Sequence, residues 1–497
     1  MEHSDRDVRR GADGISRRTM LSAAAASVVA IGFDPLGGRW VSAAAAAGRP
    51  SLRNVPPLDG TLHLDSATRH DDACDNGKII ERVPSAVLRP GSATDIAKMI
   101  RFCRELGIQV ATRGQAHSTY GQGLVGGLLI ESRSLRTIHS ISEDGADVDA
   151  GVLWQELLLA AGEHGLTPPV LTRFTGLSVG GTLSVGGVGV RNIHGAQIDL
   201  VRELEVVTGE GRVQRCSAHH NRRLFEAMLG GLGQCGVITR AWLSLEPAQP
   251  MARSYALSYS NNAELFRDLR TLLTRGELDG VIGLWGLGPT GMVCRLDAVA
   301  FFDPAAPPND AHLLRGLSQP SASAVATDAS YLDWAQQADR ALAQLRLKID
   351  WDDLVKPYFA VWLDDNAIEE YVAELVPSLT AADLGTGGLI LWPQRRSGLT
   401  RPFLRVPTGA EWVYMFSVLT TSAQPGPDPA FAEAMLARNR RWFDRARNSG
   451  GTQYPIGSIE FDHADWATQY GDLWPEFRRC KRTYDPDGIL TPGPGIF

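Results

Sequence analysis

Apolar and polar positions in the first part of the chain predict a β-α-β opening. The apolar run 83–88 has the length of a strand, and it ends at a Pro-Gly turn. Residues 92–106 then place apolar side chains three and four positions apart, which predicts an amphipathic helix capped by Ser92. Shorter apolar runs at 108–111 and 128–130 predict the next two strands.

Two glycine-dense tracts interrupt this pattern, at 114–127 and 176–195, and the second holds seven glycines in twenty positions. Glycine has no side chain to bury, so such tracts serve close approach of the backbone to something else or positive φ angles. An amphipathic helix is predicted between them at 151–165. Strands predicted at 204–208 and 237–245 close this region.

From about residue 251 the pattern of predicted helices and strands changes. Longer helical patterns, such as 263–275 and 331–347, alternate with strands rich in Trp and Phe, which indicates a second domain facing the substrate. The last stretch, 484–497, is rich in turn residues and in proline, and we expect it to be docked rather than frayed.

The N-terminus carries an export signal. Ser16-Arg17-Arg18-Thr19-Met20-Leu21 precedes an apolar stretch of about fourteen residues ending near Phe33, which is short of the roughly twenty that span a bilayer. Small residues at 43–47 offer a cleavage site before Gly48. We expect a secreted protein with no membrane attachment after cleavage, and an uncleaved anchor is the alternative. The twin-arginine route exports folded proteins, which suits a chain loaded with a cofactor.

Composition narrows the function classes. The chain has 497 residues, 44% of them hydrophobic, enough to bury a large core and to form two or three domains. A formal charge of −7 argues against nucleic-acid binding, so a small-molecule partner is expected. The six cysteines are scattered without a C-x-x-C pair, so no metal site is predicted, and one incidental disulfide stays open.

Two short motifs resemble familiar signatures in the wrong context. The GxGxxG match at 231–236 follows a helical segment and precedes a strand, the reverse of a dinucleotide fingerprint. The GxSxG match at 176–180 would make Ser178 a hydrolase nucleophile with His463 as a possible base. The glycine-rich residues 180–187 look unable to start the helix such an elbow needs, so a serine hydrolase is kept only as the rival enzyme class.

A sharper constellation is Arg113-Gly114-Gln115-Ala116-His117-Ser118, with four glycines close behind it. A histidine held among glycines has room to approach a flat ring. From the residues alone, a structural, hydrogen-bonded histidine is the commoner case, and both interpretations stay open at this point.

The motifs taken together resemble a known family. Residues 84–90 with Arg113-Gly114-x-x-His117-Ser118 are similar to the FAD-binding domain of the vanillyl-alcohol-oxidase (PCMH-type) superfamily. The segments 179–184, 194–197, 203–209, 224–234 and 484–497 resemble cytokinin dehydrogenases in particular. The likeness covers roughly residues 80 to 250 and 455 to 497.

The resemblance implies an α+β, two-domain PCMH-type fold, in which a split FAD domain flanks a substrate or cap domain. The expected boundaries are 1–47 for the signal, 48–250 for the FAD domain, 251–454 for the cap and 455–497 for a C-terminal return. It also implies an FAD cofactor, bonded covalently to His117 through the 8α-methyl carbon. The remaining cofactor-binding residues expected are Arg113, Gly114, Gln115, Ala116, Ser118, Gln122, Gly180, Gly181, Thr182, Ser184 and Ile238.

The sequence departs from the family at its substrate-facing positions. The family's proton-accepting aspartate, six residues before Val179, is Arg173 here, and a guanidinium stays protonated at working pH. A second family acid corresponds to Ile282, and a tail glutamine corresponds to Pro494. A cysteine for a second flavin bond is absent from 172–175. Arg173 would therefore pair with a substrate anion, stabilise the reduced flavin or face outward.

The expected activity is hydride removal from a carbon bearing an amine or alcohol, with oxygen or another acceptor reoxidising the flavin. The competing class outside enzymes is a secreted binding protein that retains the fold with a dead site.

Overall fold

The computed structural model describes residues 29–42, 45, 52–288, 291–318 and 324–497. Helices and sheets are both prominent, and the predicted α+β, two-domain class is confirmed. Smaller sheets form from the N-terminal half, and one large sheet forms from the segment that follows it. The twin-arginine segment 16–21 lies outside the described residues.

The first sheet has four strands in the order Thr61–His63, Ala86–Arg89, Leu128–Glu131, Val110–Arg113. Its last three strands are parallel. The helix Ala93–Glu105 crosses between two of them, and its N-cap Ser92 accepts a hydrogen bond from the Asp95 amide, as the pattern predicted. Strand boundaries lie one to three residues later than predicted, and the order of elements is as expected.

The second sheet is antiparallel, with five strands in the order Val213–Ser217, Val201–Thr208, Gly236–Leu243, Gly145–Asp149, Ile138–Ser142. The helices of this region are Trp154–Gly162, Val179–Leu183 and Arg222–Met228. The first of them is shorter than predicted, because Gly151 and Gly165 lie outside it.

The large sheet supplies the floor of the second domain. Its eight strands run in the order Val325–Ser330, Met251–Tyr259, Gly291–Phe302, Gly280–Gly288, Leu389–Arg395, Trp412–Val418, Phe359–Asp364, Thr452–Gln453. One face buries apolar side chains against the helices Asn262–Arg275, Ile368–Leu375 and Pro429–Asn448. The other face is left to line a cavity.

The helix predicted over 331–347 is two helices, Tyr331–Ala335 and Gln337–Arg346. Gln336 between them has φ −97° and ψ 4°, outside helical geometry. The break redirects the second helix, whose first turn carries Asp339.

The C-terminal segment returns to the first domain through the helices His463–Tyr470 and Trp474–Tyr484. Beyond them, Val110 donates its amide to the Ile489 carbonyl at 2.8 Å and accepts from the Thr491 amide at 2.8 Å. The tail thus extends the first sheet, and the prediction that it is docked is confirmed.

A small N-terminal sheet contains Ala30–Asp34, Arg39–Ser42 and Arg53–Asn54. Trp40 of this sheet stacks on Phe102 and donates its indole N–H to the Ser85 hydroxyl at 3.1 Å. The first two of these strands lie within the segment 1–47 expected to be a signal, so processing before Gly48 would remove Trp40 from this contact.

The remaining described elements are short: the helices Ser66–Asp71, Asp310–Leu313 and Ala381–Leu384, and the strand pair Leu166–Thr167 with Glu246–Pro247. In the part of the chain that the structure describes, no helix is long and apolar enough to cross a membrane. The six cysteines are all free thiols.

Candidate functional site

A cavity of about 420 Å³ lies where the two domains meet. Residues from the segments 112–124 and 172–188 form its walls. The strands Leu389–Arg395 and Trp412–Val418 form its floor, and Thr491 of the C-terminal tail also lines it. Every residue that the family resemblance assigned to the cofactor, together with Arg173, lines this one cavity. The set is Arg113, Gly114, Gln115, Ala116, His117, Ser118, Gln122, Arg173, Gly180, Gly181, Thr182, Ser184 and Ile238.

Hydrogen bonds to Asp75 hold the loop that carries His117 in place. This buried carboxylate accepts hydrogen bonds from the Gly121 amide at 2.7 Å, the Gly77 amide at 3.0 Å and the Ser118 hydroxyl at 3.2 Å. Burial raises the pKa of Asp75 to about 6 even though all three contacts favour the ionised form. The loop is therefore held in a fixed shape by neighbours distant in sequence.

The backbone of this loop has amides without acceptors among the described residues, and one residue in a left-handed conformation. Ala116 has a positive φ of 51°, which is uncommon for a residue with a side chain. Among the described residues, none accepts a hydrogen bond from the amides of residues 115, 116, 117 or 118. Successive free amides around a left-handed residue form a concave donor site for an anion. A cofactor with phosphate and carbonyl oxygens fits this arrangement.

Gly114 allows the loop of His117 to approach the segment 178–184, and Gly181 leaves room for Ser178 within that segment. A Cβ placed on Gly114 would lie 2.0 Å from the Ser178 hydroxyl oxygen, and one on Gly181 would lie 2.9 Å from the same atom. A side chain at Gly114 would push the loop of His117 away from the segment 178–184. The glycine tracts therefore bring two stretches of backbone to the same ligand, as the sequence pattern suggested.

His117 lies against Phe174, with ring centroids 5.0 Å apart and planes 24° from parallel. Burial, and then the positive charge of Lys356, lower the imidazole pKa to about 4. The ring is therefore neutral near pH 7 and keeps a free electron pair on one nitrogen.

Lys356 is fully buried, close enough to His117 for its charge to lower the imidazole pKa. Its ammonium donates to the Leu354 carbonyl at 2.9 Å and to the Asn76 and Asp352 carbonyls at 3.3 Å, and it lies 4.3 Å from the centre of the Trp351 ring. Burial lowers the Lys356 pKa to about 8. All of its hydrogen-bond acceptors are neutral carbonyls, so none of them neutralises the ammonium. The positive charge therefore acts on the neighbouring His117.

Several predicted residues line the cavity while their side-chain donors are engaged elsewhere. The Arg113 guanidinium donates to the Asp72 and Cys74 carbonyls at 2.8 and 3.2 Å. The Gln122 amide donates to the Gly457 carbonyl at 3.1 Å. These side chains brace the loop, and the backbone around them is left to contact a ligand.

The hydroxyl of Thr182 accepts from the Trp154 indole at 2.7 Å, and that of Ser184 donates to the Gly180 carbonyl at 2.8 Å. Ile238 reaches the cavity from the strand Gly236–Leu243. The second glycine tract is thereby fixed on the opposite wall from His117.

The expectation that no helix starts after Ser178 is wrong, because Val179–Leu183 is a short helix with Ser178 as its N-cap. The Trp154 indole and the tight contact of Gly180 with Ala150 supply packing that the glycines themselves lack. No strand precedes Ser178, however, since the residues before it form a loop. His463 donates Nδ1–H to the Ile496 carbonyl at 2.9 Å and does not line the cavity. A hydrolase elbow is therefore not formed.

The GxGxxG match behaves as the sequence predicted. The helix Arg222–Met228 precedes it and the strand Gly236–Leu243 follows it, so the order of a dinucleotide fingerprint is reversed. Leu232 and Gly233 nevertheless line the cavity.

Sequence reasoning missed three residues that shape the site: Asp75, Lys356 and Asp339. The Asp339 carboxylate accepts from the Thr175 amide and hydroxyl at 3.0 Å and from the Gly176 amide at 3.0 Å, and so fixes the loop of Arg173 and Phe174. Only Asp75 had a local signal, the Asp-Asn-Gly turn at 75–77. In the described parts of the chain, no group of three or more acidic, His or Cys side chains is arranged to hold a metal.

Two family models match the chain. A model described as an FAD binding domain matches residues 84–217, and one described as cytokinin dehydrogenase 1, FAD and cytokinin binding, matches residues 308–497. The first covers the loop of His117 and the segment 178–184. The second covers the floor strands and the C-terminal return.

Whole-chain relatives agree with these matches. The "uncharacterized oxidoreductase ORF5 in fasciation locus" of Rhodococcoides fascians is 36% identical over 442 residues, covering 88% of this chain and 99% of that protein. Cytokinin dehydrogenase 1 of Oryza sativa is 32% identical, covering 96% of this chain and 99% of that protein. Cytokinin dehydrogenase 1 of Arabidopsis thaliana is 29% identical, covering 88% and 83%.

Proposed function

This chain belongs to the cytokinin dehydrogenase family of FAD-dependent oxidoreductases, and from that premise we propose that it oxidises a small amine or alcohol using FAD bonded covalently to His117. FAD, when bound, accepts a hydride equivalent from the substrate carbon and passes the electrons to oxygen or another acceptor. The residues described here bind and orient the reactants.

The observation that carries the proposal is the state of His117. Its imidazole lines the cavity, is neutral because of its low pKa, and is held by a loop whose four free amides suit an anionic cofactor. A neutral imidazole is the nucleophilic form, so this side chain is suited to a covalent bond with the flavin. Covalent attachment would also retain the cofactor after export.

The test is acid precipitation of the purified protein, followed by flavin absorbance of pellet and supernatant. We expect flavin in the wild-type pellet and, for His117→Ala, flavin in the supernatant or none at all. His219→Ala is the matched control, because His219 is exposed. Free flavin in the wild-type supernatant would overturn the covalent bond, while FAD dependence would stand.

Bleaching of the flavin by a reducing substrate separates an enzyme from a binding protein with a dead site. A panel of amines, alcohols and cytokinins added without oxygen should contain at least one compound that bleaches the wild-type flavin. If none does while dithionite still reduces it, the binding protein becomes the better interpretation.

We also propose export through the twin-arginine route, on the motif at Arg17 and Arg18. Replacing both arginines by lysine should leave the protein in the cytoplasm with its flavin bound. Mass spectrometry of the exported wild type gives the mature N-terminus. A start at Gly48 means that the strands containing Trp40 are discarded, and export of the double variant would contradict the route.

A further inference from the structure

A second cavity of about 160 Å³ opens beside the main one. The two share Thr172, Arg173 and Ala338 as common wall. The rest of the second cavity is largely apolar, with Ile282 and Trp334 among its lining, and its charged residues are Arg173, Arg295 and Asp297. We call this second cavity the side pocket.

The charges of the side pocket do not cancel. Arg295 donates from Nη2 to one oxygen of Asp297 at 2.9 Å, and its Nε lies 2.6 Å from the other oxygen, so these two residues neutralise each other. In the described chain, nothing forms a hydrogen bond or ion pair with the side chain of Arg173. Burial lowers the Arg173 pKa, and Asp297 acts against that effect from a distance. One positive charge is therefore left over in a mostly apolar pocket.

Arg173 is half-buried and has no hydrogen-bond partner among the described residues, so its guanidinium is available to a ligand. Its planar array of donors matches the two oxygens of a carboxylate or a phosphate. The apolar neighbours lower the local dielectric constant, which strengthens that contact relative to one in open water.

Arg173 is held in place for this contact. The next residue, Phe174, packs on His117, and the two after it donate to Asp339 of the helix Gln337–Arg346. The loop is therefore fixed at both the histidine and the helix. Because Arg173 lines both cavities, a group bound there lies next to the main cavity.

The neighbouring strand position supports the same conclusion. Ile282 pairs with Asp297 across the strands Gly280–Gly288 and Gly291–Phe302, and both residues line the side pocket. The apolar side chain of Ile282 cannot form an ion pair or hydrogen bond with a cationic substrate group. Among the described residues, Asp297 is the only acid that lines the side pocket, and it is already paired with Arg295. The side pocket thus favours an anion over an amine.

We propose that Arg173 binds an anionic group of the substrate, a carboxylate or a phosphate, in the side pocket, while the carbon to be oxidised lies in the main cavity. This specificity rests on the proposed function, since it assumes that the main cavity holds the flavin. It makes the substrate an amine or alcohol that also carries a negative charge.

The test is calorimetric titration of the flavin-loaded protein with benzoate and phenyl phosphate, using benzamide as the uncharged ring ligand. In the wild type, at least one anion should bind about ten- to a hundredfold more tightly than benzamide, as expected for charge-assisted hydrogen bonds. Arg173→Gln should abolish that preference and leave benzamide binding unchanged. Arg222→Gln, at an exposed arginine, is the matched control and should behave as wild type.

A second variant keeps the test valid if Arg173→Gln folds poorly. Asp297→Asn removes the competing carboxylate and frees Arg295, so it should tighten anion binding several-fold. The anion that binds more tightly identifies carboxylate or phosphate as the partner. Equal affinities for both anions and benzamide in the wild type, or an unchanged preference in Arg173→Gln, would overturn the proposal.

These outcomes are separate from those of the proposed function. Calorimetry detects binding without turnover and without a covalent flavin bond. Acid-stable flavin, measured on the same preparations, reports the bond at His117 independently.

Discussion

The ring of Phe174 lies against the ring of His117, with the centroids 5.0 Å apart. This contact joins the residue beside Arg173 to the residue that we propose carries the flavin. It fixes the plane of the imidazole before any cofactor arrives.

Phe174→Ala should therefore slow covalent attachment of FAD. Stacking of aromatic rings contributes about 0.5–1.5 kcal/mol beyond area burial, so we expect a reduction of roughly two- to tenfold in the attachment rate. The measurement is acid-stable flavin against time after adding FAD to apoprotein. Phe174→Tyr preserves the stack and is the control. An equal rate in the alanine variant would show that the stack does not orient His117.

The pH dependence of attachment should reveal the lowered pKa of His117. Since the imidazole pKa is about 4, its neutral form is fully present above about pH 5 and is lost as pH falls through 4. The attachment rate should thus be level from pH 5 to 8 and fall only in acid. A midpoint near 6.5, the ordinary histidine value, would contradict the buried, neutral ring.

Lys356→Met provides a companion measurement, because the charge of Lys356 is the second cause of that shift. Removing the charge should move the midpoint upward. An unchanged midpoint would assign the whole effect to burial.

Asp75 should make the protein less stable as pH rises from about 4 to 6. Its pKa is raised from 3.8 to about 6, so the folded state keeps a proton that the unfolded state releases over this interval. The penalty reaches about 3 kcal/mol above pH 6. The measurement is the free energy of unfolding in urea, for wild type and Asp75→Asn, at pH 4 and at pH 6.5. The change with pH in the wild type minus the change in the variant gives the contribution of Asp75. Parallel profiles for the two proteins would show that Asp75 does not titrate in this interval.

Asp339→Asn should loosen the loop of Arg173 without altering the flavin bond. In the variant, an NH₂ group replaces one of the two carboxylate oxygens that accept hydrogen bonds from residues 175 and 176. A buried donor then has no acceptor, which destabilises this loop by about 1–3 kcal/mol. We expect weaker anion binding by calorimetry and normal acid-stable flavin. Asp144→Asn, at an exposed turn residue far along the chain from this loop, is the control. Loss of flavin along with the anion would show a wider structural role.

The sequence predicted the site well where the signal is local. The motif around His117 and the glycines at 180–181 are contiguous, and all of the residues expected from them line one cavity. Asp75 and Lys356 escaped notice because their contacts join segments 43 and 280 residues apart. The helix at 179–183 was missed because tertiary packing, from Trp154, stabilises residues of poor helical propensity.

The C-terminal tail has a consequence for biosynthesis. Thr491 lines the cavity and hydrogen-bonds to Val110, so a sheet whose strands lie between residues 61 and 131 is completed by residues synthesised much later. When residues 84–217 leave the ribosome, Thr491 has not yet been synthesised. The cavity is therefore complete only after residue 491 has emerged. Stable loading of the cofactor must await these residues, and a chain truncated before Ile489 should not retain FAD.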